Sequence, residues 1–351
     1  MKKIALFISS LQKGGSERVM VNLAEFFYRN HYDVLLVTQY KRQDEYEIMP
    51  EIKRVYSEPS QDQLQGNRLQ NFMTRFRTLR RIWQEYKPDV ILSFLGKNNL
   101  MAITTSRFLP VRTVVSVRGE PTMEYEGKLM QFLAKWLFRY AVGGVRKKAV
   151  ILPNPLNPLF VKNKYEGVRE PLIVAGGRTD ENKNHAMLIH AFARIASEYP
   201  NVNLCIYGDG NCKEQLEQLV KEKELTDRIS LPGTVTNVAE HIYKAQIFAL
   251  TSNTEGMPNS LMEAMALGLP VVSTDCPCGG PATLIEDGVN GLLVPVGDAY
   301  ALADAFRKIL SDSQYAQKLG DNAYKIVEEL NPDKVNGEWR KYLSHIAHDK
   351  N

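Results

Sequence analysis

Short apolar runs alternate with longer segments whose apolar residues recur every three or four positions along nearly the whole chain. Runs of Val, Ile and Leu without polar alternation predict strands buried on both faces. The intervening segments predict helices covering a parallel sheet from either side. In the first half, strands are expected at Ile4–Ser9, Val34–Thr38, Val90–Phe94 and Val114–Val117, and helices at Ser16–Asn30, Arg68–Tyr86, Asn98–Phe108 and Lys128–Tyr140. A second series places strands at Leu172–Ala175, Asn203–Tyr207, Ile229–Leu231, Ile247–Thr251, Val271–Thr274 and Gly291–Val294. Its helices are expected at His185–Tyr199, Cys212–Glu224, Val238–Lys244, Asn259–Leu267, Ala299–Leu310 and Ser313–Leu330, followed by Pro332–His348. Between the series, Pro153-Asn154-Pro155-Leu156-Asn157-Pro158 cannot be helix, because each proline removes a donor and restricts the residue before it. The expected organisation is therefore α/β: a first domain over 1–152, a second over 153–330, and a helix at 331–351 packing back on the first. Two doubly wound units facing across a deep cleft would bind ligands at the carboxyl ends of their strands.

Length agrees, since 351 residues exceed what one hydrophobic core usually serves. The apolar share of 44% and charged share of 24% are those of a globular protein, which sets aside disordered, collagen-like and coiled-coil readings. No run reaches the roughly 18 apolar residues of a membrane-spanning helix. Lys2 and Lys3 before an apolar stretch imitate a signal peptide, but the stretch is short and no A-x-A-like site follows, so it reads as a first buried strand. Cys205, Cys212, Cys276 and Cys278 are too few for a disulfide scaffold and lack zinc-ligand spacing, which predicts reduced thiols and a cytoplasmic location. Charge is uneven. Residues 1–150 carry 25 Lys and Arg against 14 Asp and Glu, while the rest carry 19 against 26. A basic first half suits phosphate-bearing substrates, anionic lipid or nucleic acid, and uneven surface charge alone remains the plainer alternative.

Chemistry concentrates in strand-to-helix loops. In Thr251–Ala264 a strand ends, Glu255-Gly256-Met257-Pro258-Asn259-Ser260 follows, and a helix opens that carries Glu263. The first N–H groups of such a helix suit an anion. Glu255 and Glu263 would repel a phosphate and instead suit the vicinal hydroxyls of a sugar and a ribose. Acidic complement to the helix dipole is the plainer alternative. Gly176-Gly177-Arg178-Thr179-Asp180-Glu181-Asn182-Lys183 places two cations on one loop, able to neutralise a diphosphate or simply to stand solvated. The loop Gln12-Lys13-Gly14-Gly15-Ser16 is not G-x-G-x-x-G, and Ser16 is expected to cap the helix after it. No P-loop and no spaced ligand cluster occurs, so no metal is expected.

Together Glu255-x7-Glu263, Gly177-Arg178 with Lys183, Gly208-Asp209-Gly210 and Gly14-Gly15 resemble glycosyltransferase family 4, most strongly over 172–297. The resemblance implies a GT-B fold of two Rossmann-like domains and retaining transfer from a nucleotide sugar, with no cofactor besides that donor. It implies that Arg178 and Lys183 hold the diphosphate, that Glu255 contacts the transferred sugar, and that Glu263 contacts the ribose. Gly177 and the backbone of Gly256, Met257, Pro258, Asn259 and Ser260 would assist. Gly15 would approach the phosphates from the first domain, and the base would lie near Gly208 and Val235. The run Glu255–Ala266 with Asp275–Pro281 looks like bacterial members that use UDP-hexoses or UDP-N-acetylhexosamines in surface-glycan assembly. Many members carry a His beside the reacting sugar. Here Ser116-Val117-Arg118-Gly119-Glu120-Pro121 makes Arg118 and Glu120 the candidates for that place. The junction at 141–148 looks short by about 10–25 residues, a strand and its loop.

Arginines 68, 75, 77, 80 and 81 interleave with Leu69, Phe72, Met73, Phe76, Leu79 and Trp83, and Lys128, Lys135 and Arg139 flank a second apolar stripe. Such helices attract an anionic membrane surface or bind the diphosphate of a lipid-linked glycan, and an ordinary core-facing stripe remains the alternative. The expected acceptor is a lipid-linked or polysaccharide glycan, and no nucleic-acid module is present. A non-catalytic nucleotide-sugar-binding subunit and a GT-B epimerase acting on a UDP-sugar remain the competing functions.

Overall fold

The computed structural model describes residues 1–58, 67–119, 132, 150–161 and 164–348. The chain divides into two compact units, Met1–Pro155 with Asp333–Asn351, and Leu156–Pro332.

In the first unit β1 (Lys3–Phe7), β2 (Asp33–Thr38), β3 (Lys53–Tyr56), β4 (Val90–Phe94) and β5 (Arg112–Ser116) form a parallel sheet in the order β3-β2-β1-β4-β5. Three helices, α1 (Gly15–Arg29), α2 (Arg68–Tyr86) and α3 (Gly96–Ser106), connect them. The sheet is buried because β1 and β4 are apolar on both faces, and Phe7 meets Trp83 of α2 edge-on at 6.1 Å. Strand β3 was not expected from the pattern, since Lys-Arg-Val-Tyr is only partly buried at the sheet edge and carries no apolar run. Helix α1 is capped by Gly14 with no side-chain bond, and Ser16 lies inside it, which corrects the expected Ser16 cap. The expected helix at Lys128–Tyr140 and the junction at 141–148 lie outside the described residues, apart from Phe132.

The second unit holds β6 (Glu170–Gly176), β7 (Asn203–Tyr207), β8 (Ile229–Gly233), β9 (Ala245–Leu250), β10 (Val271–Thr274) and β11 (Leu292–Val294), all parallel in the order β11-β10-β9-β6-β7-β8. Its helices are α4 (His185–Ile195), α5 (Lys213–Glu222), α6 (Val238–Ile242), α7 (Asn259–Ala266), α8 (Gly280–Leu284), α9 (Ala299–Ser311), α10 (Ser313–Tyr324) and α11 (Ile326–Glu329). Helix α8 escaped the sequence reading because five residues opening on Gly-Pro read as a turn. The helix expected over Ser313–Leu330 is two, parted at Lys325.

The last helix, α12 (Pro332–His348), belongs to the first unit from Asp333 onward. Trp339 is buried against Phe94 with ring centroids 6.0 Å apart, and its indole donates to the Pro153 carbonyl at 3.1 Å. Each sheet reverses its direction of growth once, between β1 and β4 in the first unit and between β6 and β9 in the second. The carboxyl ends at these reversals are where open α/β sheets bind ligands.

Candidate active site

In the second unit the reversal is lined by the loop after β6 and the loop after β9. Lys183 from the first and Glu255 from the second form an ion pair, Nζ to Oε1 at 2.5 Å, with side chains 15% and 13% exposed. Residues 72 positions apart in sequence meet here because the sheet order makes their strands neighbours. Ser252 Oγ donates to the same Glu255 oxygen at 2.7 Å, fixing the carboxylate. Asn182 staples the loops together, donating to the Thr254 carbonyl at 3.0 Å and accepting from the Thr254 N–H at 3.1 Å. Asn184 donates to Asn253 at 3.1 Å. Ser252, Asn182, Asn184 and Asn253 were missed by sequence reasoning; polar loop residues flanking Lys183 and Glu255 were the available signal.

Glycine makes the floor. Gly208, at φ +131°, lies so close to the Gly177 carbonyl that a Cβ could not fit, and a Cβ on Gly280 would strike the Gly256 carbonyl. The loops after β6, β7 and β9, and the turn before α8, therefore meet backbone to backbone. Gly177 lies beneath Lys183, whose Cε would be 3.1 Å from a Cβ there. Asp209 accepts from the Thr234 N–H at 3.3 Å and faces Lys213 at 3.3 Å, tying Gly208 to the exit of β8 and the half-buried Val235.

Arg178 is not drawn into this cluster: its side chain is 74% exposed and pairs with Asp180 at 3.2 Å. Helix α7 starts after Pro258 with no side-chain cap, so Gly256, Met257, Pro258, Asn259 and Ser260 form its approach, and Glu263 lies buried one turn inside. Behind the loop, Thr179 and His185 are buried, and neither the threonine hydroxyl nor the ring nitrogens of His185 find a hydrogen-bond partner among the described residues. Burial, with the charge of Lys183 nearby, pushes the His185 imidazole down to about 4. Burial pushes the Cys276 thiol, in the turn before α8, up to about 11, and the Glu255 charge adds to it.

In the first unit the reversal carries neutral groups. Ser9 and Asn98 exchange hydrogen bonds at 3.1 and 2.9 Å, and Gln39 reaches Asn98 at 3.5 Å. The Gly14–Gly15 loop is braced by Glu45, which accepts from the Leu11 N–H at 3.3 Å and from both terminal nitrogens of Arg54 at 2.7 and 3.0 Å. Burial alone would raise the Glu45 carboxyl, but the bonds from Arg54, Arg42 and Leu11 outweigh it and hold it low. Just beyond β5, Arg118 lays its guanidinium over the Phe94 ring at 3.7 Å, with the Trp339 ring at 5.7 Å, and Nη1 donates to Asn154. Its Nε and Nη2 are closed to solvent and have no hydrogen-bond partner among the described residues. Burial drives the guanidinium down to about 9, opposed by the charge of Glu17. Glu120 lies outside the described residues.

Residues 13–153 match the family model described as Glycosyltransferase Family 4, and residues 160–326 match Glycosyl transferases group 1. The chain belongs to the glycosyltransferases. This glycosyltransferase is 27% identical, over 99% of its own length and 99% of the relative's, to a Campylobacter jejuni alpha-1,4-N-acetyl-D-galactosaminyltransferase named for GalNAc-alpha-(1->4)-GalNAc-alpha-(1->3)-diNAcBac-PP-undecaprenol. A second Campylobacter jejuni relative, a 4-alpha-N-acetylgalactosaminyltransferase named for an N,N'-diacetylbacillosaminyl-diphospho-undecaprenol glycan, is also 27% identical, over 98% of this chain and all of that one. Among solved structures, HepE of Anabaena with UDP and glucose superposes with a TM-score of 0.82 at 20% identity, covering 98% of this chain and 100% of that one. Sucrose-phosphate synthase of Thermosynechococcus elongatus gives 0.80 at 19%, covering 99% of each. The fold is accordingly GT-B, with two Rossmann-like domains.

On α2 the basic stripe is divided. Arg75 is committed to the buried Glu58 at 2.8 Å, and Arg80 donates to the carbonyls of Thr105 and Arg107 at 3.1 and 2.8 Å. Arg77 and Arg81 are exposed beside the exposed Leu69, Phe72 and Met73. A groove of about 400 Å³ lined by Phe76, Arg80, Thr104, Arg107 and Phe108 continues that face. No helix of the described residues is long and apolar enough to cross a membrane.

Proposed function

We propose that this glycosyltransferase moves a hexose or N-acetylhexosamine from a UDP-sugar to a lipid-linked or polysaccharide glycan, with retained anomeric configuration and without a metal. The Lys183–Glu255 pair at the β6–β9 reversal carries the reading, because it holds a cation and a carboxylate ready at one point. The diphosphate takes Lys183 and the approach to α7, Arg178 swings in from solvent, and the sugar hydroxyls take Glu255. Glu263 receives the ribose, the base lies at Gly208 and Val235, and Gly15 meets the phosphates. As the glycosidic bond breaks, Lys183 and the α7 N–H groups stabilise charge growing on the leaving diphosphate, which helps deprotonate the acceptor attacking on the same face. The UDP and glucose bound to HepE and the diphospho-undecaprenol named for both Campylobacter relatives support the choice of donor and acceptor.

The exposed Leu69, Phe72 and Met73 with Arg77 and Arg81 favour a peripheral site on an anionic membrane, where a lipid-linked acceptor resides. Thermal shift against UDP-, GDP- and ADP-sugars should single out a UDP-sugar, and NMR of the product should show the donor's anomeric configuration in the presence of EDTA. An inverted product, or activity lost to the chelator and restored by a divalent ion, would overturn the mechanism. Flotation with anionic vesicles should succeed at low salt and weaken at high salt; no binding at low salt removes the membrane reading.

A further inference from the structure

The two cations of the loop between β6 and α4 are held in different ways. Lys183 is 15% exposed and paired with Glu255, whereas Arg178 is 74% exposed and meets Asp180, Nη2 to Oδ2 at 3.2 Å. The backbone around Arg178 is pinned: the Gly177 N–H donates to the Tyr207 carbonyl and the Thr179 N–H to the Asp209 carbonyl, both at 3.0 Å. Further along, the Glu181 and Asn182 carbonyls accept from Asn253 at 2.9 and 2.7 Å, and the Lys183 carbonyl accepts from the Thr251 hydroxyl at 2.9 Å. The loop therefore has little freedom to change shape, and Arg178 changes partner by side-chain rotamer alone, a movement of picoseconds to nanoseconds. Asp180, 22% exposed, uses both of its oxygens. Oδ1 accepts from the Lys183 N–H at 3.0 Å, closing the turn, while Oδ2 faces Arg178. The turn bond needs only an amide or hydroxyl oxygen, which Asn or Ser supplies as well. The negative charge is surplus to the turn, and on a loop that receives a diphosphate it is repulsive unless Arg178 answers it.

We infer that Asp180 is a positioning residue for the donor: it holds Arg178 off the diphosphate site in the free enzyme and releases it when a nucleoside diphosphate binds. This rests on the proposed placement of the donor diphosphate at Lys183 and the approach to α7, and it adds how the second cation is delivered. An exposed ion pair is weak, so a diphosphate, which a guanidinium binds through two parallel charge-assisted bonds, displaces the carboxylate. Lys183 is thus preset in the site, and Arg178 arrives with the ligand.

The test is a double-mutant cycle: UDP affinity by calorimetry for the full chain, Asp180→Asn, Arg178→Ala and the double variant, with Lys183→Ala alongside. Asparagine keeps the turn bond and removes the charge. Arg178→Ala should weaken UDP roughly tenfold or more, the worth of a bond to a charged group. Asp180→Asn should tighten UDP, and by about two- to fivefold more in the parent than in the Arg178→Ala background, the range of an exposed ion pair. A carboxylate that merely repels the diphosphate gives the same gain in both backgrounds. Equal gains, no gain, weaker binding in Asp180→Asn, or an Arg178→Ala variant that binds like the parent each overturn the inference. A large loss in Lys183→Ala beside any of these leaves the donor site standing. UDP binding unchanged in Lys183→Ala strikes the donor assignment itself, and the inference with it. Should Asp180→Asn fail to fold, the same cycle is read with Asp180→Ser, whose hydroxyl accepts from the Lys183 N–H.

Discussion

The two sheets reverse in the same way, yet their crevices are built from opposite electrostatics. At β6–β9 a cation and a carboxylate neutralise each other across 2.5 Å, held by neighbouring amides and a hydroxyl. At β1–β4 the groups are neutral, Ser9, Gln39 and Asn98, and the guanidinium of Arg118 beyond β5 has no hydrogen-bonded carboxylate among the described residues, though the charge of Glu17 acts on it. A paired site can be kept buried and opened by exchange: in the proposed reading a diphosphate would replace Glu255 at Lys183, and sugar hydroxyls would replace Lys183 at Glu255. The Arg118 guanidinium is instead held between two aromatic rings, from β4 and α12. The same topology thus carries two different electrostatic arrangements.

Breaking the pair should have the largest effect. Lys183→Ala is expected to lower transfer by about 10²–10³, the usual loss for one donor to a developing oxyanion, and to lower the melting temperature because Glu255 is stranded. Adding Glu255→Gln should recover stability without recovering rate; a recovered rate would detach the pair from chemistry. Gly208→Ala should cost the second unit about 3 kcal/mol or more in denaturant unfolding, since a Cβ has no room beside Gly177 and the backbone is at φ +131°. A loss near zero would mean that the loops part easily.

The neutral His185 behind the loop sharpens the contrast through pH. Its folded value of about 4 lies below an unfolded value of 6.5, so the unfolded chain binds the extra proton first. Stability is full above pH 6.5 and falls by about 3 kcal/mol as pH drops to about 4, and His185→Phe should remove that fall. An unchanged profile in the variant would place the titration elsewhere. In the first unit, Glu45→Gln should cost about 2 kcal/mol at neutral pH, the worth of a hydrogen bond to a charged group. Because the Glu45 carboxyl is held low, that contribution is present above the ordinary carboxylate value and lost as pH falls through the lowered one.

Strand and helix order was largely legible because fully apolar runs and helical spacing are local properties. Strand β3 was not, since an edge strand of Lys-Arg-Val-Tyr needs only one partner and little burial. The loops bearing Arg178, Lys183 and Glu255 could be found from glycines after strands. That Lys183 and Glu255 pair with each other, while Arg178 stands in solvent, follows from sheet order and loop stapling, which no spacing encodes. The setting of Arg118 was equally hidden, since Phe94, Asn154 and Trp339 come from three distant segments.

Calorimetry of UDP against the parent chain and Lys183→Ala tests the second-unit site most directly. The account predicts binding by the parent and a loss of about a hundredfold, roughly 3 kcal/mol, in the variant. Equal affinity in the two would contradict it.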